Sequence, residues 1–181
     1  TFANALKAKG ITQVNGHFYG DESWFTGPRL APGIGRTDEL QYYGAQISAL
    51  TMSPNNDYDA STMIVSATGS SVGKAPTLTY MPNSSGMNIV NQAKTVAKGK
   101  ANTLSIRRQY NTNRIIVSGN IPVGATKREW MTLYSPTLST LVAMKQVWET
   151  QGVTFVKGSQ QTYAKVPAHA QHIHAVKSIP M

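Results

Sequence analysis

The chain has 181 residues, of which 40 % are apolar and 14 % charged, with no cysteine and a formal net charge of +9. That length makes one ordinary domain or two small ones able to bury a core without staples, and low charge with 15 Gly and 9 Pro excludes coiled coils and highly charged disordered tails. No apolar run approaches the roughly 18 residues of a membrane-spanning helix, and the absence of cysteine removes disulfides, thiolate catalysis and cysteine zinc sites together.

Phe2 and Leu6 stand four apart ahead of Gly10, which predicts a short opening helix ended by a glycine cap. Ile11 to Tyr19 reads as a strand closed by Gly20-Asp21. From Trp24 to Arg36 the chain is punctuated by Gly27-Pro28, Pro32-Gly33 and Gly35, a long irregular loop of the kind that carries function. Tyr42 to Met52 is expected to be extended, ending in the turn cluster Ser53-Pro54-Asn55-Asn56-Asp57. Strands follow at Thr62–Val65, Thr77–Tyr80, Met87–Val96, Asn102–Tyr110, Arg114–Ser118 and Thr126–Tyr134. Strands this short, with turns at this spacing, make a sandwich or small barrel.

Ser135-Pro136 opens a second helix from Thr137 to Gln151, whose Leu138, Leu141, Val142, Met144, Val147 and Trp148 form one broad apolar stripe. Gly152 ends it and Val153–Val156 reads as a strand. The expected fold class is therefore α+β and β-rich. A small α/β domain, two helices on an antiparallel sheet, is built from residues 1–55 and 134–165 and interrupted by an all-β domain at 56–133.

Few motifs carry chemistry. Gly69-Ser70-Ser71-Val72-Gly73-Lys74 has one residue too few between its glycines for a phosphate-binding loop, and Ala75-Pro76 follows where Ser or Thr and a helix are needed. Ser71-Val72-Gly73-Lys74 also spells S-x-x-K, the serine–lysine pair of penicillin-interacting enzymes, which requires both side chains on one helix turn. Gly73 and Pro76 argue for a turn instead. Ser53-Pro54-Asn55 and Ser118-Gly119-Asn120 match S-x-N only as two-letter patterns, and no Lys-Thr-Gly occurs.

His169, His172 and His174 cluster near the end without an acidic neighbour to orient them, so no metal is expected, and nothing calls for a cofactor. The basic residues are dispersed, with Lys94–Lys100 and Arg107–Arg108 the densest stretches. That spread argues against a nucleic-acid footprint. It leaves open a free-standing basic β-module that binds polyanions such as teichoic acid or nucleic acid.

The segment Asp21-Glu22-Ser23-Trp24-Phe25, Gly27-Pro28-Arg29, Pro32-Gly33-Ile34-Gly35 and Tyr42-Tyr43-Gly44-Ala45-Gln46-Ile47-Ser48-Ala49-Leu50 resembles the class C low-molecular-mass penicillin-binding proteins. Those are serine-type D-alanyl-D-alanine carboxypeptidases and endopeptidases. Phe2–Gly20, Thr137–Gly158 and Val166-Pro167-Ala168-His169 extend the likeness over nearly the whole chain. The resemblance implies the inserted, non-catalytic region between S-x-x-K and S-x-N. Residues 166–181 would then return to a catalytic domain outside this sequence, the catalytic residues would lie elsewhere, and the chain alone would not be a hydrolase.

The resemblance further implies a bacterial envelope location, outside the cytoplasm, and the peptidoglycan stem peptide as partner, with anionic wall polymers as a further possibility. It makes Asp38 and Tyr43 substrate-binding: the acid receives a stem side-chain ammonium and the ring packs its methylenes. Arg36-Thr37 stands where the family pattern leads one to expect Trp-Asp.

Overall fold

The computed structural model describes residues 1–83, 86–156, 160–161 and 165–177. Helix α1 (Phe2–Ala8) is capped by the Thr1 hydroxyl, which accepts the Asn4 N–H. Gly10 beyond its end takes φ 74°, the left-handed conformation glycine adopts at least cost. The single strand expected at Ile11–Tyr19 is two short ones, β1 (Gln13–Val14) and β2 (Phe18–Tyr19). They are parted at Gly16, whose φ of 147° bends the chain.

The extended run expected from Tyr42 to Met52 does not form a strand. One 3-10 turn, Asp38–Leu40, precedes it and a second, Tyr42–Gly44, occupies its start, and the chain beyond is irregular. Gly44 is the physical reason: a Cβ there would sit 2.0 Å from the Asp38 carbonyl oxygen, so only glycine lets the two turns fold back on one another. An isolated bridge from Gln41 to Met131 is the strand-like pairing that does occur there.

The middle is all β. In chain order come β3 (Thr62–Thr68), β4 (Thr77–Met81), β5 (Asn88–Asn91), β6 (Lys94–Val96), β7 (Ser105–Arg108), β8 (Arg114–Ser118), β9 (Asn120–Pro122) and β10 (Thr126–Thr132). They make a β10-β3-β4 antiparallel sheet, a β5-β8-β7 sheet and a parallel β6-β9 pair. Met87–Val96 is thus two strands. The core is shared among them: Met63, Val65 and Ala67 of β3 pack with Ile106, Ile115, Val117, Ile121, Met131 and Leu133, all buried. Burying Ile, Val, Leu or Met contributes about 1.5–3 kcal/mol each, so this cluster dominates the stability of the middle segment.

Helix α2 (Pro136–Thr150) starts with proline in its first turn and is followed by Gly152 at φ 86°. Strands β11 (Thr154–Phe155) and β12 (Gln160–Gln161) follow. Strand β11 pairs with β1, Gln13 opposite Thr154, and β12 pairs with β2, Phe18 opposite Gln160. Both pairings are parallel, which corrects the expected antiparallel sheet while the α+β, β-rich class stands. Parallel neighbours need a long crossover, and the whole β-rich segment supplies it.

The helices meet through aromatic rings. Trp148 lies 5.0 Å from Phe18, 6.2 Å from Phe155 and 6.5 Å from Phe2, centroid to centroid.

Candidate functional site

The loop from Asp21 to Leu50 is tied down at several places, two of which bear directly on the site. The first is Glu22. Its carboxylate accepts from Arg29 at 2.7 Å, from the Ser48 hydroxyl at 3.3 Å and from the Thr137 hydroxyl, while Ser48 and Thr137 are themselves 2.8 Å apart. Thr137 is fully buried in the first turn of α2, so this one acid joins the loop to the helix. Gly20 makes the approach possible, because a Cβ there would fall 2.5 Å from the Thr137 methyl.

Beside this anchor lies an open cleft of about 770 Å³, bordered by Asp21, Glu22, Phe25, Arg29, Ile47 and Lys165. Asp21 accepts from Ser23 N–H at 2.8 Å and from Val166 N–H at 2.9 Å, tethering the segment that carries the histidines. The Ser23 hydrogen bonds, with that of Val166, hold the Asp21 carboxyl below the ordinary carboxylate value. Trp24, two residues after Glu22, is 85 % exposed.

The second tie carries the two site residues named from the sequence. The Tyr43 hydroxyl donates to Asp38 Oδ1 at 3.2 Å, and the Gly35 N–H donates to Oδ2 at 3.2 Å. Asp38 and Tyr43 are therefore brought together, on successive 3-10 turns rather than ahead of a strand. Tyr43 is 59 % exposed, and its ring lies edge-on to Tyr42 at 5.5 Å. Partial burial, then the Asp38 charge and hydrogen bond, raise the Tyr43 phenol above its usual value, so it stays a donor at neutral pH. Neither residue borders the 770 Å³ cleft.

Arg36 does not take up the Asp38 carboxylate as an ion-pair partner. Its guanidinium lies over the Tyr110 ring, 4.9 Å from the centroid.

A residue that sequence reasoning missed holds this loop. Arg108, only 4 % exposed at the end of β7, donates from Nη2 to the Glu39 carbonyl at 3.1 Å and to the Thr132 hydroxyl at 3.0 Å. From Nη1 it donates to the Thr112 carbonyl at 3.0 Å and the Gln109 carbonyl at 3.4 Å. Thr132 donates to the same Glu39 carbonyl. Burial lowers the Arg108 pKa, with the Glu39 charge opposing, yet a guanidinium remains protonated at neutral pH. The signal was present in the sequence: in Ser105-Ile106-Arg107-Arg108 the period of two puts Arg108 on the face of Ile106, and both are buried.

Other sequence features are bland in structure. Ser71–Lys74 is a turn, with Lys74 N–H on the Ser71 carbonyl, and a Cβ at Gly69 would meet the Pro122 carbonyl oxygen at 2.0 Å. His174 packs edge-on against Phe2 at 5.6 Å, and among the described residues no three His, Asp or Glu side chains converge as a metal site. Residues 178–181, the end of the expected returning segment, lie outside the described residues. No helix among the described residues is long and apolar enough to cross a membrane.

A β-rich body is framed by two helices and two short parallel strand pairs, and the Asp38–Tyr43 loop lies beside it. The sequence pattern of the D-Ala-D-Ala carboxypeptidase 3 (S13) family matches residues 1–181, and the chain belongs to that family. It is 34 % identical over 157 residues to a D-alanyl-D-alanine carboxypeptidase from Actinomadura sp., covering 86 % of this chain and 29 % of that protein. In fold it is similar to penicillin binding protein 4 from Haemophilus influenzae, with a TM-score of 0.62 at 14 % identity over 88 % of this chain and 34 % of that one. A second structure of that protein, bound to a β-lactam, gives a TM-score of 0.51, also at 14 % identity, over 94 % of this chain and 34 % of that one. The chain thus spans about a third of the length of these relatives.

Proposed function

We propose that this chain is the inserted, non-catalytic region of a serine-type D-Ala-D-Ala carboxypeptidase or endopeptidase that acts on peptidoglycan in the bacterial envelope. In this reading residues 1–55 and 134–165 form one discontinuous domain, 56–133 a nested all-β domain, and 166–181 lead to the catalytic domain. The supporting observation is the Asp38–Tyr43 pair, a half-buried acid and an exposed ring held in fixed geometry by Gly35, Gly44 and the β-rich body. A carboxylate that accepts from one N–H and one phenol keeps lone pairs for an ammonium. The flanking ring offers a face to its methylenes. The acylated serine and its base belong to the part of the enzyme outside these residues.

Fluorescent penicillin tests the division of labour. The full-length protein should be labelled stoichiometrically and these 181 residues alone not at all. Covalent labelling of Ser71 or any other serine here would overturn the reading. The free-standing polyanion-binding alternative loses part of its basis, because Arg108 of its densest basic stretch is buried.

A further inference from the structure

We infer that Arg108 is a positioning residue for ammonium recognition, and that the β-rich segment serves to hold the Asp38–Tyr43 loop in its binding geometry through it. The inference rests on the reading of Asp38 as the ammonium acceptor. Arg108 touches no substrate group in this scheme; it acts through the backbone of Glu39, the residue next to Asp38. Two donors, Arg108 Nη2 and Thr132 Oγ1, converge on that one carbonyl, and they come from two different strands, β7 and β10.

The same loop is pinned at Gln41 by the bridge to Met131 of β10 and at Arg36 by the Tyr110 ring. Three contacts on the residues flanking Asp38 therefore fix its height and rotation relative to the β-rich body, whereas Asp38 itself is left to Gly35 and Tyr43. A loop of 3-10 turns has poor intrinsic stability. Without external anchors its carboxylate would sample several orientations, and a displacement near 1 Å in a binding group costs up to about a hundredfold in turnover.

A guanidinium suits the task. Burial of a charge is costly unless it is hydrogen-bonded; the two terminal nitrogens of Arg108 make four contacts to oxygens, while its buried Nε has no partner among the described residues. The planar fork fixes their relative directions, which a lysine ammonium would not.

The test measures kcat/KM of the full-length protein on two stem peptides ending in D-Ala-D-Ala, one with a free side-chain ammonium and one with that amine replaced by hydrogen. The quantity read is the ratio of the two. Wild type should prefer the ammonium peptide and Asp38→Asn should lose the preference. Arg108→Met should lower the ratio about tenfold, a change equivalent to about 1.4 kcal/mol, mainly by raising KM for the ammonium peptide. Arg108→Lys should recover part of it. Thr132→Val, which removes one of the two donors to Glu39 and leaves the guanidinium in place, should move the ratio in the same direction and decides the matter if Arg108→Met does not fold.

A ratio unchanged in Arg108→Met and Thr132→Val, whether both rates fall in proportion or neither does, makes Arg108 merely structural and overturns the inference while Asp38 keeps its role. A wild-type enzyme indifferent to the ammonium overturns the Asp38 reading itself, and the inference with it.

Discussion

Asp21 and Glu22 are adjacent acids with opposite assignments, and their partners explain why. Glu22 faces inward to Arg29, Ser48 and Thr137, whereas Asp21 faces the outer segment and accepts the Val166 N–H. Because the hydrogen bonds lower the folded-state pKa of Asp21, its contribution is complete above the ordinary carboxylate value and is lost as pH falls through the lowered one. Hydrogen exchange at the Val166 amide should accelerate across that acidic window, beyond the intrinsic pH dependence of exchange. Asp21→Asn should show the faster exchange already at neutral pH. An amide equally protected in the variant at pH 7 would place the tether elsewhere.

Among elements, α1 depends most on others. Seven residues are too few for a stable isolated helix, and its exposed Phe2 finds Trp148 on α2 and His174 on the outer segment. Trp148 is the common neighbour of Phe2, Phe18 and Phe155, so it joins α1, β2, β11 and α2. The ring is half-buried, which scales the loss on Trp148→Ala to about 2–3 kcal/mol, below that of a fully buried tryptophan. The expected signature is loss of amide protection at β1 and β11 with the β3 and β8 amides still protected. Uniform loss across both regions would contradict the proposed nesting of 56–133 as a separate domain.

Over the whole molecule, the charge of +9 predicts only diffuse attraction to polyanions. Arg108 is buried, Arg36 lies over Tyr110, and Lys127 is bonded to the Leu104 carbonyl and Glu129. Affinity for teichoic acid or DNA should therefore be weak and vanish by physiological salt, with a shallow log–log slope. Tight binding with a slope of several phosphate contacts would revive the polyanion-binding alternative.

Local signals determined much of this protein by themselves. Glycine caps at Gly10 and Gly152, Pro136 at a helix start and the Asn111–Asn113 turn between β7 and β8 follow from backbone sterics within a few residues, and the helices and most strands fall where those signals put them. The residues Asp38 and Tyr43 were legible only through resemblance, because an acid five positions before an aromatic has no local chemistry of its own. Tertiary structure decided the rest. The run Tyr42 to Met52 had strand-like residues, but the Gly44 N–H bonds the Gln41 carbonyl, the Ile47 N–H bonds the Arg29 carbonyl and the Gln46 side chain accepts from the Ser135 N–H, rather than any ladder forming. The strands β1 and β11 became parallel because the crossover between them is the β-rich body itself. Arg108, read from sequence as part of a basic surface run, was drawn inside because four oxygens from Glu39, Gln109, Thr112 and Thr132 converge there. The period of two puts Arg108 on the buried face of its strand, but which distant groups converge on it there is a property of the folded packing.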